Sequence, residues 1–103
     1  MKLILTTTVL ALSMTGSAFA DAAAGKVVFT ANCEKCHGAD GAGKPVIAKM
    51  LNVTMKPLGS ADVKALSDAT MTKDITQGTG KMKPVKITDA QVKDVIAYVR
   101  TLK

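Results

Sequence analysis

Cys33-Glu34-Lys35-Cys36-His37 holds both cysteines and the only histidine of this 103-residue chain. Concentrating them in five residues excludes most ways of using them. One imidazole and two thiols fall one ligand short of a closed four-ligand zinc site. A multi-bridge disulfide scaffold needs more cysteines, and one bridge across so short a loop would remove little unfolded-state entropy. A thioredoxin-like dithiol needs a βαβ setting, and no alternating strand pattern accompanies the motif. What fits is covalent c-type haem attachment, of which Cys-x-x-Cys-His is the signature. Two thiols three residues apart lie on one side of a helical turn and can add to the two vinyl groups along one porphyrin edge. The adjoining imidazole then lies under the iron as an axial ligand. Because His37 has no rival, bis-histidine ligation within one chain is impossible.

The first twenty residues read as an export leader rather than as part of the fold. Lys2 supplies a positive start, an apolar run follows from Leu3 to Leu12, and Ala18 and Ala20 occupy the small-residue cleavage positions. The apolar run is too short to span a bilayer as an anchor, and Asp21 rather than Cys follows the cut. The expectation is a cleaved signal peptide over residues 1–20, one domain over residues 21–103, and a periplasmic, non-membrane-spanning protein.

Without the leader, Phe29 and Tyr98 are the only aromatic residues left. A chain of this size sits where a single apolar core is marginal and an added staple is usual. A covalently held porphyrin supplies the missing apolar mass, so the polypeptide without haem is expected to fold poorly. The formal charge of +6 might suggest nucleic acid, but the chain lacks aromatic residues for base stacking.

Helical periodicity is visible in three segments. Gly25, Val28, Phe29 and Asn32 form one narrow face over Ala22 to Asn32. Ser67 is an N-cap for a helix through Met71 and Ile75 to Gln77, stopped by Gly78. Thr88 and Gln91 form a capping box before Val92, Val95, Ile96, Val99 and Leu102, with Arg100 near the helix end to suit its dipole. Shorter turns are expected around Val46 to Leu51 and Ala61 to Ala65. No sheet is predicted; the chain reads as one small all-α domain with long loops.

A second axial ligand has to come from Met50, Met55, Met71 or Met82, or else from a weaker donor, water or nothing. Met50 and Met55 follow the motif closely and suit the ring edge, and Met71 is in phase with Ile75 as core. Met82 is favoured, since a flexible loop, Gly78-Thr79-Gly80-Lys81-Met82-Lys83-Pro84, can lay its thioether across the iron. Two other patterns are decoys. Gly38 to Lys44 mimics a phosphate-binding loop but continues with Pro45 in place of Ser or Thr, and Asn52-Val53-Thr54 is a permissive glycosylation pattern.

Together these residues resemble the class I c-type cytochromes, particularly small monohaem bacterial periplasmic ones. Gly25, Phe29, Cys33, Cys36 and His37 match that family's first helix and haem motif. Val95 and Tyr98 match the last helix where it crosses the first. The resemblance implies one haem c bound through Cys33 and Cys36, with His37 and Met82 on the iron, and a Pro45 carbonyl accepting the His37 ring N–H. One departure is that Lys83 separates Met82 from Pro84, where the family commonly places Pro directly after the ligand Met. The implied function is single-electron transfer, not enzymatic catalysis. Lys35, Lys44, Lys81, Lys83 and Lys86 would form a positive rim for redox partners with acidic surfaces, met as a monomer in transient complexes. Two other functions remain open from sequence: an open-iron haem protein binding a small ligand or peroxide, and an electron-entry subunit of an oxidoreductase.

Overall fold

The computed structural model describes residues 20–103, so all of the expected leader except Ala20 lies outside the described residues. Six helices occur in that range: α1 Ala22–Asn32, α2 Glu34–His37, α3 Pro45–Leu51, α4 Ala61–Lys64, α5 Asp68–Gln77 and α6 Asp89–Val99. No strand forms among the described residues, and a single antiparallel bridge joins Thr79 to Met82. The all-α expectation is met, and none of these helices is long and apolar enough to cross a membrane.

Local chemistry starts the main helices. The Asp21 carboxylate accepts from the Ala23 and Ala24 N–H groups at 2.9 and 3.2 Å, satisfying two of the donors that a helix start leaves free. At α5 the Ser67 hydroxyl accepts from Thr70 N–H. The capping box of α6 is complete: Thr88 Oγ1 accepts from Gln91 N–H, and Gln91 Oε1 accepts from Thr88 N–H. This helix ends at Val99, and Leu102 follows in a turn whose N–H donates to the Val99 carbonyl.

The framework is the crossing of α1 over α6, with α5 packed beside α6. Gly25 allows it. A Cβ there would collide with the Asp94 carbonyl oxygen and lie 2.9 Å from Tyr98 Cβ. At the same crossing Phe29 meets Tyr98 with ring centroids 5.2 Å apart and planes tilted by 58°, an arrangement favoured by the ring quadrupoles. The Asp21 N–H donates to Asp94 Oδ1 at 2.8 Å, tying the start of α1 to the same turn of α6. The core is small: Val28 and Phe29 from α1, Met71 from α5, and Val92, Val95, Ile96 and Val99 from α6.

Arg100 does more than complement its own helix. Its guanidinium donates to the carbonyls of Val63, Lys64 and Leu66 at 3.4, 3.2 and 2.6 Å, and to Asp68 Oδ1 at 2.8 Å. One planar fork thus caps the end of α4 and fastens the α4–α5 connection to α6.

Because the Gly25 contact is with backbone, it cannot relax by moving a side chain. Gly25→Val is expected to lower stability by about 1–3 kcal/mol through overpacking. Denaturant unfolding would show this as an earlier midpoint, and an unchanged midpoint would mean that α1 and α6 can separate without cost.

Candidate haem site

The pentapeptide spans the junction of two helices. Cys33 ends α1 and precedes the single turn α2, which carries Cys36 and His37. The turn is pinned by its backbone: His37 N–H donates to the Cys33 carbonyl at 3.0 Å, and Gly38 N–H to the Glu34 carbonyl at 2.8 Å. The following chain then folds back, with Gly43 N–H on the His37 carbonyl and Lys44 N–H on the Cys36 carbonyl. That reversal places Gly38, Gly41 and Gly43 at φ of 79°, 77° and 89°, a region that only glycine enters readily.

Cys33, His37 and Met82 line one cavity of about 190 Å³, enclosed by Phe29, Val95 and Val99 from the helix crossing and by Leu58, Val63, Leu66, Met71 and Ile75. Its surface is almost wholly hydrocarbon. Both cysteines are unpaired thiols and half-buried. Burial, and then the charge of Cys36, push the Cys33 thiol above its ordinary pKa. Burial lowers that of His37, which keeps the imidazole neutral near pH 7, the form able to donate a lone pair to a metal.

Among the described residues the His37 ring reaches no acceptor. Nδ1 is buried without a partner, so the hydrogen bond expected to the Pro45 carbonyl is not formed. Pro45 instead opens α3 at its first position, where a carbonyl serves the helix ladder. His37 itself lines the cavity.

The methionines separate sharply. Met50 is 70% exposed and Met55 packs against Gly43, and neither lines the cavity. Met71 does line it, but from within the packed core. Met82 is brought in by a loop that is braced rather than flexible. Thr79 and Met82 exchange backbone hydrogen bonds at 3.0 and 2.9 Å, and Val85 N–H donates to the Ile75 carbonyl at 2.8 Å. Gly78, at φ 79°, lies so close that a Cβ would stand 2.6 Å from the Met82 carbonyl oxygen. Sequence reading overlooked this bracing, although the glycines at 78 and 80 signal a tight reversal. The five rim lysines are all exposed and none lines the cavity.

These residues suit the group that the pentapeptide calls for: a cysteine, the histidine and a methionine line one space whose other lining residues are apolar except Asp74 and Thr79. Among the described residues no cluster of three or more His, Cys, Asp or Glu side chains offers a site for a bare metal ion. The cytochrome c family model matches residues 22–103. Cytochrome c-555 of Chlorobaculum tepidum is 35% identical over 101 residues, covering 86% of this chain and 84% of that one. The solved KustC0563 c-type cytochrome superposes with a TM-score of 0.64 at 28% identity, over 77% of this chain and 96% of the other. A point mutant of it gives a TM-score of 0.62 at 28% identity, over 77% and 98%. By sequence, relatives and fold this chain belongs to the cytochrome c family: it carries covalently attached haem c and transfers electrons to and from redox partners rather than catalysing a reaction.

Proposed function

We propose that the protein shuttles single electrons between redox partners in the periplasm, with thioethers from Cys33 and Cys36 to the porphyrin and His37 and Met82 on the iron. The observation that carries this reading is the presence of His37 and Met82 on one apolar cavity, each held by backbone hydrogen bonds of its own segment. Bound haem supplies the one-electron iron couple. The chain's part is to present a neutral imidazole and a braced thioether, and to keep water away with hydrocarbon walls. With His37 and Met82 both holding the iron, the protein would leave no open position there for a substrate. The spacer Lys83 is compatible with this, because Met82 is positioned by Thr79 and Gly78 rather than by Pro84 directly.

Export is supported by the setting of the cleavage point. Ala20 and Asp21 are both exposed, and α1 begins after the Asp21 cap, so the expected cut falls outside the helix at an accessible point. Exposed Lys35, Lys44, Lys81, Lys83 and Lys86 favour a partner with an acidic face, through charge steering that salt would screen.

Three outcomes are expected. Met82→Ala abolishes the weak long-wavelength ferric absorption band that reports sulfur–iron ligation; a band that survives assigns the ligand elsewhere. Changing Lys81, Lys83 and Lys86 to Glu slows electron exchange with an acidic partner and flattens its dependence on ionic strength, whereas unaltered rates would remove the lysine rim from docking. Mass spectrometry of the exported protein finds Asp21 at the amino terminus, and any other first residue would refute cleavage after Ala20.

A further inference from the structure

The cavity wall contains one acidic residue. Asp74 lines it among apolar neighbours, and no lysine or arginine does. Its position follows from helix geometry: Asp74 lies three residues after Met71 and one before Ile75, on the stripe of α5 that faces the core. Most other carboxylates have partners, and Glu34 and Asp89, which have none among the described residues, do not line the cavity. Asp68 is paired with Arg100 and Asp62 with Lys56, while Asp21 caps α1 and Asp94 receives the Asp21 N–H. The half-buried Asp74 makes no side-chain hydrogen bond or ion pair among the described residues.

We propose that Asp74 is a potential-setting residue: its half-buried carboxyl side chain, on a residue of the cavity wall, favours the oxidised state of the haem held there. The argument is electrostatic. Oxidised iron carries one more positive charge than reduced iron, so a nearby anion stabilises the oxidised state more. Interposed hydrocarbon transmits that interaction far better than water would. No cation in the same wall cancels it. The five rim lysines act in the opposite sense, but from exposed positions where solvent and salt screen them. Asp74 lies outside the pentapeptide in sequence and makes no hydrogen bond to His37 or Met82, so the effect proposed for it is that of its field. The inference rests on the haem occupying this cavity, but not on Met82 being its ligand.

Potentiometric titration of the purified haem-loaded protein tests it, at one pH and fixed ionic strength. Asp74→Asn, nearly the same in shape, should move the reduction potential to a more positive value. Asp74→Glu should restore most of the parent value. As a reference, Asp89→Asn removes an exposed charge at the start of α6 and should shift the potential much less. A shift in Asp74→Asn no larger than that of Asp89→Asn, or one toward negative values, would overturn the proposal, as would failure of Asp74→Glu to rescue. The ferric sulfur–iron band, recorded on the same samples, keeps the two readings apart. If the parent protein lacks the band, Met82 ligation fails while the potential shift still decides the role of Asp74.

Discussion

The contact between Gly25 and the Asp94 carbonyl sets the closeness of α1 and α6, and the remaining structure is arranged around that distance. With a side chain at position 25 the helices would stand apart, and the Phe29–Tyr98 pair could not close at 5.2 Å. Phe29, Val95 and Val99 belong both to that crossing and to the cavity wall. The same contact also aims the end of α1, where Cys33 stands, at the cavity. In a core with so few large side chains, one glycine therefore controls both the packing and the direction in which α1 carries Cys33.

The rest of the cavity is built by α5, by α4 and by connecting segments, and the connections are tied down by specific bonds. Arg100 reaches from the end of α6 to three carbonyls around α4, holding Val63 and Leu66 where they wall the cavity. The Thr79–Met82 bridge and the Val85–Ile75 hydrogen bond hold the methionine loop against α5. Loops of this kind are usually the least stable parts of a small domain. Here they border the cavity proposed to hold the haem, and these hydrogen bonds brace them.

Charge is divided between outside and inside. Thirteen of the basic side chains follow the leader, and the rim lysines among them are solvated. The inner wall is hydrocarbon, with a neutral imidazole and the single carboxylate of Asp74. An exposed cation influences encounters with a partner and fades with salt, whereas a charge at an apolar wall acts on the electron carrier itself. The two sets of residues can thus affect association and driving force separately.

Much of this was legible along the chain because it is local. The Cys33–Cys36–His37 spacing states its own chemistry, and the caps at Ser67 and Thr88 act within one turn. The apolar stripes of α1, α5 and α6 follow from helical periodicity alone. Met82 could be favoured from sequence, but its three rivals were separated only by where the folded chain leaves them: Met50 in solvent, Met55 on Gly43, Met71 in the core. Arg100 looked like a partner for its own helix dipole and instead serves α4, more than thirty residues away in sequence. The missing acceptor for His37 Nδ1 and the place of Asp74 in the wall were likewise invisible. The sequence by itself therefore determined the attachment chemistry, the helices and the shortage of core, since each depends on residues within a turn or two. Tertiary structure alone decided which side chains share the cavity, because that depends on how closely α1 and α6 approach and on what the connecting loops can then reach.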